Sequence, residues 1–81
     1  MKIKLINLIN EITGKNIDVI DIPINIDLVN YFGIDSIQMI NLLLKIEDEF
    51  DVRIDYDNLN YNDIRYLDKI LALIQEYKNI Q

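Results

Sequence analysis

The sequence contains no cysteine and no histidine. That removes disulfides, thiolate and imidazole metal ligands, a cysteine nucleophile, and any catalytic triad that needs an imidazole base. Glycine and proline are scarce, at two and one in 81 residues, while 51% of the chain is apolar, a balance that excludes a disordered linker. Positive charge is also short: eight Lys and Arg stand against 14 Asp and Glu, a net charge of −6. Such a surface argues against a sequence-independent grip on nucleic acid phosphates or anionic lipid and favours basic proteins as partners. No apolar run approaches the roughly 20 residues that span a bilayer. The start, Met1-Lys2-Ile3-Lys4, runs into Asn7, Asn10 and Glu11 instead of the apolar block of a secretory leader. The expectation is one domain over residues 1–81, in the cytoplasm, with no membrane insertion and no nucleic acid partner.

What is present is helical periodicity. Leu5, Leu8, Ile9 and Ile12 fall at i, i+3, i+4 and i+7, and Thr13-Gly14 closes the run, which predicts an amphipathic helix over Ile3 to Ile12. From Asn16 to Leu28 the period changes to two, with Ile20, Ile22, Ile24, Ile26 and Leu28 alternating with polar residues or Pro23. Alternation points to a strand. The only partner available is the short 51–54 stretch, and Pro23 would remove a ladder donor, so the reading preferred is an ordered, extended loop that pins alternate side chains onto a helical core. Helical spacing returns from Ser36 to Phe50, where Asp51 and Val52 end it. It returns again from Asp63 to Lys78, with Ile64, Leu67, Leu71 and Ile74 on one face joined by Ile70 and Tyr77, and with Asn62 or Asp63 as cap. Between these helices, Tyr56 to Tyr61 has room for a single turn. The fold class predicted is all-α, with three main helices, one short turn and one long first loop.

The densest chemical signal is Val29-Asn30-Tyr31-Phe32-Gly33-Ile34-Asp35-Ser36-Ile37-Gln38. Asp35 is placed to cap the helix, and Gln38 three residues later can answer its backbone amide in a capping box. Ser36 then stands in the first turn, where free N–H groups and the positive end of the helix dipole would favour a phosphate ester on its hydroxyl. On spacing alone the same residues also describe an ordinary capped helix start. The helix itself carries two apolar stripes: Met39, Leu42, Leu43, Ile46 and Phe50 on one side, and Ile37, Ile40 and Leu44 on the other, bordered by Asn41, Glu47 and Asp48. Either the helix is covered all round, or the second stripe is an exposed docking surface rimmed by acids.

Phe32-Gly33-Ile34-Asp35-Ser36-Ile37, followed by Leu42, Leu43, Ile46, Glu47, Asp48, Glu49, Phe50, Asp51, Val52 and Ile54, resembles the acyl and peptidyl carrier proteins. Val29 extends the likeness upstream, and Asp57-Asn58-Leu59-Asn60 with the final apolar helix is compatible with the family's short third and longer fourth helices. The resemblance implies a four-helix carrier bundle with a long loop between the first two helices. It implies that Ser36 accepts 4′-phosphopantetheine from coenzyme A, with Asp35 helping to place the serine for a phosphopantetheinyl transferase. The thiol of that arm would hold acyl or aminoacyl groups as thioesters, which accounts for a carrier without cysteine. It further implies that Ile37, Ile40 and Leu44 face partners, with Glu47 and Asp48 as a charged rim. Those partners are the transferase, a loading enzyme for the acyl or aminoacyl group, and a downstream synthase or transferase. The chain would be a monomer and would not itself be an enzyme.

Two positions depart from the fatty-acid carriers, since Asn41 and Gln38 stand where acids are common, and this favours a specialised system. Met1 just before the first helix and Gln81 just after the last suggest a free-standing carrier. The competing reading is a carrier-fold adaptor that never receives a prosthetic group. The retention of Gly33, Asp35 and Ser36 together favours the carrier.

Overall fold

In a computed structural model, residues 2–19 and 22–80 are described. The chain runs through α1 (Lys2–Thr13), α2 (Leu28–Phe32), α3 (Ser36–Phe50), a 3₁₀ turn (Tyr56–Asn58), α4 (Asn62–Arg65) and α5 (Leu67–Ile80). The all-α architecture expected from the sequence is the one observed, with three long helices and short ones between them. Among the described residues, extended pairing is confined to one isolated bridge between Asp27 and Tyr66.

The core follows from the apolar stripes. Leu5, Ile6 and Ile9 of α1, the five predicted residues of α3 (Met39, Leu42, Leu43, Ile46 and Phe50), and Leu67, Ile70 and Ile74 of α5 are all buried in one cluster. The ion pairs Lys4–Glu49 at 3.5 Å and Lys45–Glu11 at 3.0 Å connect α1 and α3 on the surface. Exposed pairs of this kind contribute at most about 1 kcal/mol, so apolar burial contributes more to holding the two helices together.

The loop after α1 is ordered by side chains rather than by a sheet. Thr13 donates to the Ile9 carbonyl at 2.8 Å, and Gly14 then turns the chain at φ +71°, the glycine stop that was expected. Asn10 of α1 offers both ends of its amide to the backbone of Ile17: Nδ2 donates to the carbonyl at 2.9 Å and Oδ1 accepts from the amide at 3.1 Å. The loop is thereby paired as if a strand lay beside it. Ile22 and Leu28 are buried and Ile26 half-buried, as the alternation predicts, but Ile24 is exposed. The reason is local: the Ile26 amide bonds to the Pro23 carbonyl at 3.3 Å, and the resulting turn carries Ile24 on its outer side. Ile20 lies outside the described residues.

Two features correct the sequence reading. The first is α2, which falls in what was read as loop and chain leading into the motif. Asp27 caps it by accepting from the amides of Val29 at 3.0 Å and Asn30 at 3.3 Å, and Gly33 ends it at φ +69° with its N–H on the Val29 carbonyl. Five residues are too few for periodicity to show; the caps were the available signal. The second is the final helix, expected to run unbroken from Asp63 to Lys78. It is interrupted at Tyr66, which is extended (φ −107°, ψ 139°) and pairs with Asp27, while the Leu67 amide donates to the Ile26 carbonyl at 3.1 Å. No glycine or proline marks this break. It exists because the incoming loop supplies the backbone partner. Neither Asn62 nor Asp63 caps α4, whose flanking residue is Tyr61 without a side-chain cap bond; the Asn60 side chain accepts the Asn62 amide instead.

Candidate functional site

The segment from α2 to α3 is anchored on both sides of its glycine. Phe32 and Ile34 are buried, and Gly33 between them adopts the left-handed conformation that L-residues resist. The chain emerges at Asp35, whose Oδ1 accepts the Gln38 amide at 2.8 Å while the Asp35 amide donates to Gln38 Oε1 at 3.1 Å. This is the capping box expected from the sequence, and it explains Gln38 on local grounds, because that position needs a side-chain acceptor. The box makes no use of the Ser36 hydroxyl. Ser36 is exposed at the first position of α3, where its own amide and that of Ile37 have no acceptor within the helix.

α3 places residues of two kinds beside that hydroxyl. Ile37, Ile40 and Leu44 are 71%, 56% and 52% exposed, so the second apolar stripe is open to solvent and the helix is not covered all round. On an adjoining face, Ser36, Met39, Ile40 and Leu43 recur at i, i+3, i+4 and i+7 and form one wall of a cavity of about 420 Å³. Tyr56, Leu59, Tyr61 and Ile64 form the opposite wall. This wall leaves no periodic mark in the sequence, because its members come from a turn, a loop and a four-residue helix with no common period. The one available signal was Leu59, an isolated apolar residue among Asp and Asn.

The acidic rim divides. Asp48 is exposed, as expected. Glu47 is half-buried and turned to internal use: Oε2 accepts the Ile54 amide at 3.0 Å and Oε1 accepts the Tyr56 hydroxyl at 2.7 Å. Burial, and then the hydrogen bond and negative charge of Glu47, push the Tyr56 phenol up to about 12. Tyr56 therefore stays a neutral donor throughout the physiological range.

Chemically, the geometry suits a serine that receives a group rather than one that attacks a substrate unaided. A hydroxyl becomes a competent nucleophile when a base stands next to it. The neighbouring carboxylate, Asp35, is engaged in capping, and the sequence holds no histidine. The open amides at the start of α3 and the helix dipole suit a phosphate ester at that oxygen.

The comparisons agree with that chemistry. A family model described as the phosphopantetheine attachment site matches residues 4–67, which run from within α1 to the first residue of α5 and include the whole region from α2 to the cavity wall. No curated protein matches the sequence.

Proposed function

Since the chain belongs to the phosphopantetheine-attachment family, whose domains are non-catalytic carriers of a covalent 4′-phosphopantetheine, we propose that Ser36 is the attachment residue and that the cargo is an acyl group. The single observation that carries this reading is the position of Ser36: exposed, first in a capped helix, and in the lining of an apolar cavity. In the attachment step the Ser36 oxygen loses its proton to a base of the transferase and bonds to the coenzyme A phosphorus that bears pantetheine. The phosphoanhydride bond breaks and 3′,5′-ADP leaves. Asp35 holds the helix start rigid while this occurs. Once bound, the arm supplies a thiol on which acyl groups are held as thioesters.

The cavity favours acyl over aminoacyl cargo, because an ammonium group would be desolvated among Met39, Leu43, Leu59 and Ile64 without a partner, whereas an alkyl chain gains from burial. Ile37, Ile40 and Leu44, with Asp48 beside them, form the docking face for basic partner enzymes. Glu47 serves that face indirectly, through the loop it holds. Acids that steer and a small apolar patch that makes short-range contact suit rapid, reversible association with a transferase, a loading enzyme and a downstream acyl-using enzyme.

Intact mass after incubation with coenzyme A and a broad-specificity phosphopantetheinyl transferase tests the assignment. The expected result is one added phosphopantetheine on the wild type and none on Ser36→Ala, with helical circular dichroism unchanged. Unmodified wild type with several such transferases would replace the carrier reading by that of a docking adaptor.

A further inference from the structure

The apolar face of α3 does not run on indefinitely from Ser36. The cavity uses Ser36, Met39, Ile40 and Leu43, a stretch of about 10 Å at 1.5 Å per residue. The next residue on the same face, one turn beyond Leu43, is Glu47. Each of its carboxylate oxygens accepts one hydrogen bond, Oε2 from the Ile54 amide at 3.0 Å and Oε1 from the Tyr56 hydroxyl at 2.7 Å. Tyr56 in turn lines the cavity. The ring that forms part of the cavity wall is thus held at its tip by the residue that ends the apolar face. Between those two bonds the same segment is also held from α5, since the Asp55 amide donates to the Tyr77 hydroxyl at 3.2 Å.

Resting on the acyl reading above, we propose that the Glu47–Tyr56 pair is the end wall of the cavity and sets the length of acyl chain that the carrier shelters. An alkyl chain entering from Ser36 gains apolar burial as far as Leu43. Beyond that point it would meet a carboxylate and a phenolic hydroxyl, polar atoms that offer an alkyl chain no apolar burial. Growth of the chain past the wall therefore brings no further gain. Glu47 acts here as a positioning residue through Tyr56.

The test compares wild type, Tyr56→Phe and Tyr56→Ala, each carrying at Ser36 an acyl-phosphopantetheine arm transferred from a saturated acyl-coenzyme A series of increasing length. The readout is the rise in thermal midpoint over the unacylated arm. In the wild type the rise should grow with chain length and then level off. In Tyr56→Ala the levelling should move to longer chains by one or more steps of the series. Tyr56→Phe, which keeps the ring and loses the bond to Glu47, should move it in the same direction by less. Tyr56 is 46% exposed, so neither variant empties the core, and circular dichroism checks the fold. An unchanged limit in Tyr56→Phe overturns the role of the pair even if Tyr56→Ala should fail to fold. An unchanged limit in Tyr56→Ala, against a wild type that does level off, overturns the wall alone. A wild type with no rise at any length overturns the acyl reading and the wall with it.

Discussion

Nε and Nη2 of Arg65 both lie 2.9 Å from Oδ2 of Asp27, 38 positions earlier in the chain. The same carboxylate caps α2 through Oδ1, and its backbone forms the bridge to Tyr66 at the break between α4 and α5. One residue therefore ties together the start of the segment that leads to Ser36 and the short helix whose Ile64 lines the cavity. The two walls of the site are held in register by a side chain that belongs to neither.

Burial by itself would push the Asp27 carboxyl up; the Arg65 guanidinium and the amides of Asn30 and Val29 outweigh it and hold the group below its ordinary value of 3.8. A carboxyl depressed in the folded state contributes stability above 3.8 that is lost as pH falls through the lower folded value. Arg65→Met should lower the thermal midpoint at neutral pH. The gap to wild type should hold steady down to about 3.8 and close below it. A gap that stays constant through that acid range would show that the ion pair is not its source.

The two stripes of α3 predict opposite responses. Leu42 is fully buried, and Leu42→Ala should cost about 2–5 kcal/mol as a core truncation does. Leu44 is 52% exposed, and Leu44→Glu should change stability by less than about 1 kcal/mol while slowing modification by the transferase. Denaturant unfolding of both variants, beside their modification rates, checks the pair. Equal and severe destabilisation would remove the docking face.

Asp35→Ala deletes the acceptor of the Gln38 amide and should destabilise the domain by about 1 kcal/mol, whereas Asp35→Asn keeps an acceptor and should recover most of the loss. Urea midpoints for the two variants decide this. Equal losses would mean that the charge, and not the cap bond, is what α3 requires.

The Tyr56 phenol, raised to about 12 chiefly by burial and then by Glu47, favours the folded state below the ordinary tyrosine value of 10.0, and that contribution is lost as pH rises toward 12. Ultraviolet titration of wild type minus Tyr56→Phe should show one phenol ionising near 12. Glu47→Gln should bring it down. A difference signal centred at 10.0 in the wild type would contradict both the burial and the hydrogen bond to Glu47 that raise it.

Elements whose cause is local are legible in the sequence. The capping box of Asp35 and Gln38, the glycine stop after α1, and the five buried positions of α3 follow from spacing and from side chains that bond within a few residues of themselves. The family signature around Ser36 is equally local. What stayed hidden is long-range. α2 is one helical turn held between two caps, and the break at Tyr66 has no sequence mark because its partner, the backbone of Ile26 and Asp27, arrives from some 40 positions upstream.

Glu47 shows the division most sharply. Its place among acids on an amphipathic helix assigned it to a solvent-facing rim, and that reasoning holds for Asp48. Glu47 is half-buried and has a second use that no spacing records, because the fold places the Ile54 amide and the Tyr56 hydroxyl opposite its carboxylate. The helical class, the buried stripe and an exposed serine at a capped helix start are written in the residues themselves, since each rests on contacts within a few turns. That a cavity opens beside that serine follows from the packing of segments far apart in the chain. A cavity is the space left between segments distant in the chain, and no periodicity within one segment records it.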